Sequence, residues 1–287
     1  MPELNSRGVS CLWCTPLLAA GASGSCQLMS LLLHKRADPT IRNDQGVSPL
    51  HVAAGHGWLK LCKLMVEVVS RSPAAAPSSS SSLAVSRSTG GLLMSRFLPF
   101  YRHRDRDRNG GGSSAKTAAL TTSSTSSSST SSSSNTQRPL SAASFVNRPT
   151  SFRDTPLMHA AAGGDVATVQ FLLRAQAAVA QVNSEGYTAL HVAAQTGSAE
   201  CVQLLLDSQA SLHARTCTAG DTALHLAVKF CWPGVVEALT QQQQRELEKS
   251  GGSQKGIFLP VDQVNSEDLT ALQIAISHPA VQAPAAG

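Results

Sequence analysis

A seven-residue phrase returns six times along the chain, with copies beginning at Thr15, Ser48, Thr155, Thr188, Thr222 and Thr270. Its fullest form is Thr188-Ala189-Leu190-His191-Val192-Ala193-Ala194. The starts lie 33, 107, 33, 34 and 48 residues apart, so three intervals share one period and two exceed it by about 74 and about 15 residues. A fixed period in this range marks a row of supersecondary units, none of which can bury its apolar face alone. The chain must therefore stack its units into a solenoid that presents surfaces rather than a deep pocket.

The other copies read Thr15-Pro16-Leu17-Leu18-Ala19-Ala20, Ser48-Pro49-Leu50-His51-Val52-Ala53-Ala54 and Thr155-Pro156-Leu157-Met158-His159-Ala160-Ala161. Thr222-Ala223-Leu224-His225-Leu226-Ala227-Val228 and Thr270-Ala271-Leu272-Gln273-Ile274-Ala275-Ile276 complete the set. Nine residues after the opening Ser/Thr stands Gly24, Gly57, Gly164 or Gly197, with Cys231 as the exception. Apolar runs follow at Leu31-Leu32-Leu33, Leu64-Met65-Val66, Phe171-Leu172-Leu173 and Leu204-Leu205-Leu206. On these residues the chain resembles the ankyrin-repeat family over roughly 11–72, 151–247 and 261–278. The resemblance implies an all-α solenoid of stacked helix-turn-helix units with β-hairpin turns, interrupted by a long insert.

Each anchor has a physical task. The Ser/Thr is a natural helix N-cap, and Pro16, Pro49 or Pro156 takes the first helical position, where a missing N–H costs nothing. Small alanines let helices approach closely. The glycine suits a left-handed cap that ends the first helix of the unit. Asp44-Gln45-Gly46, Ser184-Glu185-Gly186 and Ala219-Gly220 read as tight turns. Asp268 replaces the turn glycine in the sixth copy and tolerates the left-handed region, while Trp13 and Arg153 stand there in the first and third and are expected to close it less readily.

Residues 1–72 read as two repeats, 73–150 as a disordered Ser/Thr-rich basic insert, and 151–287 as four repeats with a loop insertion at about 241–258. The first insert holds fourteen consecutive Ser/Thr from Thr121 to Ser134, a composition that cannot offset chain entropy by burial. Within it Leu92–Tyr101 is an apolar strip followed by alternating arginines, open to docking on the stack or to recognition by a partner. Ser141 and Ser151 each follow an arginine by three residues, Arg138 and Arg148, and are candidate phosphorylation sites. In the second insertion, Gln241 to Lys249 extends a helix that Gly251-Gly252 then breaks.

Charge divides unevenly. Residues 73–150 hold nine Lys/Arg and two Asp, net +7, against fourteen basic and sixteen acidic residues elsewhere, net −2. The repeats thus carry no nucleic-acid footprint. Seven scattered cysteines and no leader-like start at Met1–Cys14 point to a reducing, intracellular and most simply cytoplasmic setting, with the nucleus open. No run of eighteen apolar residues is present to span a membrane.

Chemistry-bearing patterns are weak. Cys11 and Cys14 form half a zinc site with no second half nearby, and they do not open a thioredoxin-like unit. His51, His191 and His225 recur because the repeat recurs; the resemblance makes them structural. No phosphate-binding loop, metalloprotease helix or nucleophile elbow is found, so no catalytic residue, metal or cofactor is expected. The resemblance instead places partner-facing positions at the turn tips and the exposed side of the first helix. These are Ser184, Glu185, Tyr187, Gln195 and Thr196 in the fourth unit and Thr218, Ala219, Asp221, Lys229 and Phe230 in the fifth. The third unit offers Ser151, Phe152, Asp154, Ala162 and Gly163, and the second Asp44, Gln45, Val47, Gly55 and His56. The expected function is a monomeric, non-enzymatic module binding a protein partner; a regulatory segment of a larger enzyme or channel is the alternative.

Overall fold

The computed structural model describes residues 15–71, 141–249 and 262–277. Trp13, the Cys11–Cys14 pair, the Leu92–Tyr101 strip and the 250–258 part of the second insertion lie outside these residues. Among the described residues there are twelve helices and no strand. They are α1 (Pro16–Ser23), α2 (Cys26–His34), α3 (Pro49–Gly55), α4 (Leu59–Arg71), α5 (Ala142–Val146) and α6 (Pro156–Gly163). The rest are α7 (Val166–Arg174), α8 (Ala189–Thr196), α9 (Ala199–Asp207), α10 (Ala223–Lys229), α11 (Pro233–Lys249) and α12 (Ala271–Ser277).

The repeated phrase builds one helix each time. Thr15 and Thr155 accept the backbone N–H of Leu18 and Met158, while Ser48, Thr188 and Thr222 form reciprocal capping boxes with His51, His191 and His225. First helices α1, α3, α6, α8, α10 and α12 pack side by side in one row, and α2, α4, α7, α9 and α11 form the second. The small residues set the spacing of the first row. A Cβ on Gly163 of α6 would collide with the Gly55 carbonyl of α3, so this approach admits only glycine. In the second row the middle of each apolar run turns inward: Met65, Leu172 and Leu205 are fully buried. Position decides burial. Leu61 and Cys201 are wholly covered by the preceding unit, whereas the matching Leu28 of the first unit is 43% exposed. At the other end Leu272 is 63% exposed where the matching Leu50, Leu157 and Leu190 are covered.

One boundary differs from the sequence expectation. The insert was expected to run to residue 150, but residues 141–150 belong to the stack. Phe145 and Val146 of α5 are buried against α4, and Asn147 donates to the carbonyls of Ala143 and Gln176 while accepting from the Ala178 amide. Two buried apolar side chains and a fully used carboxamide outweigh the Ser-rich context. The anticipated β-hairpins reduce to closed turns, with one isolated bridge between Val264 and Thr270. The 241–249 half of the second insertion is helical, as part of α11.

Candidate functional site

The turns between units form a row of fingers, each closed the same way. Asn43 donates its amide N–H to the Val47 carbonyl, and its side-chain oxygen accepts from the amides of Gln45 and Val47. Asn183 repeats this with Glu185 and Tyr187, and Asn265 with Glu267 and Leu269. Thr150 and Thr216 do the work with a hydroxyl, accepting from the amides of Asp154 and Asp221. The third finger closes despite its arginine: Arg153 takes φ +63°, as Asp268 takes +57° in the sixth.

One backbone hydrogen bond joins each finger to its predecessor. Ser151 N–H reaches the Gln45 carbonyl, Ser184 that of Phe152, Cys217 that of Glu185 and Ser266 that of Ala219, at 2.8–2.9 Å. Two buried side-chain pairs reinforce this, Asn183 to Asp154 at 2.9 Å and Asn265 to Asp221 at 3.1 Å. The fingers of repeats two to six are thereby held in register, and their tips make one ledge.

The histidines lock the ledge to the helices. His191 accepts the Thr188 amide at Nδ1 and turns Nε2 to the Ala214 carbonyl of the next finger, 3.1 Å away. His225 makes the same link to Leu269. Burial pushes His191 down to about 4, partly opposed by the backbone acceptors and the Asp221 carboxylate. The ring is neutral and structural.

The anticipated partner-facing residues divide under this geometry. Ser184 and Thr218 are exposed at finger tips, Lys229 is exposed at the end of α10, and Glu185, Tyr187 and Phe230 are half-buried. Tyr187 leans edge-on against His191 with ring centroids 5.9 Å apart, so it also supports the core. Asp221 is not a surface group: only 4% exposed, it accepts from Asn265. Asp154, Val47, Gly55 and Ala162 are buried too. Thr196 spends its hydroxyl on backbone carbonyls, including Ala161 of the preceding unit, and the Gln195 carbonyl accepts the Trp232 indole N–H at 3.0 Å. Phe152, 41% exposed at the third finger tip, is the most open aromatic on the ledge.

Trp58 and Trp232, each 40% exposed, carry surface that the sequence reading passed over. Each stands three residues beyond the end of the first helix of its unit and lies over the capping glycine of the unit before, Gly24 and Gly197. Asp165 and Ser198 occupy the same place over Gly57 and Gly164. The signal was available as the residue ten places after each opening Ser/Thr. Ser141 and Ser151 are both exposed; Ser141 caps α5, and Arg148 before Ser151 is pinned to the Thr40 carbonyl. Among the described residues no cluster of three or more His, Cys, Asp or Glu could hold a metal ion, and no helix is long and apolar enough to cross a membrane.

A family model of ankyrin repeats, in three copies, matches residues 137–216. Ankyrin repeat domain-containing protein 37 of Mus musculus is 32% identical over 120 residues, which cover 40% of this chain and 73% of that protein. The chain belongs to the ankyrin-repeat family. It is also 34% identical over 93 residues to the nuclear factor NF-kappa-B p105 subunit of Gallus gallus, covering 31% of this chain. That match spans only 10% of the p105 subunit. The family assignment agrees with the stacked helix pairs and histidine-locked fingers, and ankyrin repeats are protein-interaction modules.

Proposed function

We propose that the chain is a non-enzymatic adaptor, scaffold or inhibitor that binds a protein partner along the finger ledge and the adjoining ends of the first helices. The observation that carries this reading is the register of the fingers. Hydrogen bonds from the backbone amides of Ser151, Ser184, Cys217 and Ser266 align the tips, so exposed side chains on neighbouring units address one partner at once. Rigid alignment lowers the ordering cost of association, which otherwise consumes much of the gain from contact. Phe152, Ser184, Glu185, Tyr187, Thr218, Lys229 and Phe230 form the contact set, with Phe152 as an aromatic anchor of the kind enriched at interface hot spots. Gln195, Thr196 and Asp221 support the surface from behind. The reading takes the chain as a monomer and assigns it neither nucleic acid nor cofactor.

Partners retrieved by affinity purification and identified by mass spectrometry would be titrated against Phe152→Ala and against Tyr187→Ala/Phe230→Ala. Losing a hot-spot aromatic costs about 2 kcal/mol, roughly thirtyfold in affinity. Binding unchanged in both variants, with helicity retained, removes the ledge as the site.

A further inference from the structure

His51 and His159 meet at the joint between the second and third repeats. Their rings stand edge to face at 84°, centroids 5.2 Å apart, and are 0% and 5% exposed. Nδ1 of His51 accepts the Ser48 amide and contacts its hydroxyl. Nε2 of each ring is buried without a hydrogen-bond partner, in contrast to His191 and His225, whose Nε2 atoms each meet a carbonyl of the next finger. The third unit carries its histidine one residue late, Met158 taking the usual place, and the extra imidazole is thus brought against His51.

Few charges face the pair. Arg42 of the second finger opposes positive charge on His51, while the backbone of Asp154 and Arg148 favours it; the Asp154 carboxylate faces His159 but already accepts from Asn183. Helices α1 and α5 carry no titratable group, and α4 keeps Lys60, Lys63 and Glu67 on its exposed side, with Cys62 buried. On α7 Arg174 is exposed and Asp165 caps the helix; on α8 His191 is turned to Ala214. Burial holds both rings below the ordinary histidine range, His51 well below, and the His159 ring further opposes charge on His51.

The same joint is the one the long insert interrupts. The chain leaves α4 at Arg71 and returns at Ser141. Across it the fingers are tied by Ser151 to Gln45, Arg42 to the Pro149 carbonyl and Arg148 to the Thr40 carbonyl. We propose that this joint is an acid-sensitive seam, in which the neutral His51–His159 pair holds the first two repeats against the rest and proton uptake by either ring parts them. Two buried imidazoles whose Nε2 atoms have no hydrogen-bond partner accommodate a proton poorly, whereas the opened joint hydrates both. Both rings sit below their unfolded value near 6.5, so the seam is fully closed above about pH 6.5 and loosens as pH falls toward the folded values. The open fraction then rises up to about tenfold per pH unit for each proton taken up. Parting would detach the second finger from Phe152 and break the ledge.

Hydrogen exchange of the full chain at pH 7.5 and 5.5, scaled for intrinsic rates, tests this. Protection in 49–55 and 156–163 should fall at least about tenfold more than in 189–196. In His51→Leu/His159→Leu that excess should vanish, and in His159→Leu alone it should shrink at least about threefold. Both replacements copy other units, Leu18 standing at the place of His51 and Leu226 at that of His159. Should the double variant fail to fold, His159→Leu decides. Equal loss of protection in α8 and at the seam, or an excess unchanged in His159→Leu, overturns the proposal.

Discussion

Asn183 donates its side-chain amide to the carboxylate of Asp154, both residues less than 4% exposed, and so binds the fourth finger to the third. The same carboxamide closes its own turn through the Glu185 and Tyr187 amides. Removing one member of such a pair leaves the other buried and uncompensated, the costly half of the hydrogen-bond asymmetry. Asn183→Ala should cost about 3 kcal/mol and Asp154→Ala about 2. The double variant should lose less than the sum, with a coupling of about 1 kcal/mol or more. Urea midpoints of the three variants measure this, and strict additivity would refute the pairing.

Gly197 caps α8 at φ +83°, and a Cβ there would run into the Trp232 ring. Backbone and contact therefore both exclude a side chain. Gly197→Ala should destabilise the chain by about 2 kcal/mol, more than the roughly 1 kcal/mol of the left-handed conformation alone. Trp232→Ala should remove most of the difference. Melting temperatures of the two single variants and their combination test it; a Gly197→Ala penalty unaffected by Trp232→Ala would show that the ring is not the obstacle.

What could be read from the chain and what could not follows from the distance over which each feature is decided. The caps at Thr15, Thr155 and Thr188 and the left-handed glycines are local, so the phrase located them. The Asp268 turn was anticipated on the same grounds. The burial of α5 depends on α4, some seventy residues earlier in the chain, and Phe145-Val146 in a Ser-rich context looks like linker until that neighbour is present. Asp221 sits where the family places contact residues, yet its burial is set by Asn265, 44 residues on. Trp58 and Trp232 were hidden for a related reason: each covers a glycine of the unit before, a relation that only stacking creates.

His191 gives the fourth repeat its own acid response. Its folded pKa of about 4 lies below the unfolded value of about 6.5, so the unfolded chain binds the extra proton. Stability is complete above about pH 6.5 and falls by up to about 1.4 kcal/mol per pH unit down to pH 4. His191→Gln should lower stability at pH 7.5 and flatten the decline below pH 6.5, seen in urea midpoints across that range. A decline of unchanged steepness would assign it to other groups.

The cysteines should separate by reactivity, because only the thiolate attacks an alkylating reagent. Cys62 lies wholly inside the stack between α4 and its neighbours, and burial pushes its thiol up to about 12, with Asp165 adding to the shift. At pH 8 its thiolate fraction is then on the order of one in ten thousand, and the reagent has no path to it. Cys201, likewise buried, has its thiol raised chiefly by burial. Cys217 and Cys231 stand exposed on the fifth repeat. Iodoacetamide at pH 8 with peptide mass spectrometry should label Cys217 and Cys231 within minutes. Cys62 and Cys201 should label only in urea, together with the loss of helicity. Because Cys217 lies on the ledge beside Glu185, its alkylation should also weaken partner binding, while alkylation of Cys231 alone in a Cys217→Ser chain should weaken it less. Labelling of Cys62 at the rate of Cys217 in the native chain would contradict the packing of α4.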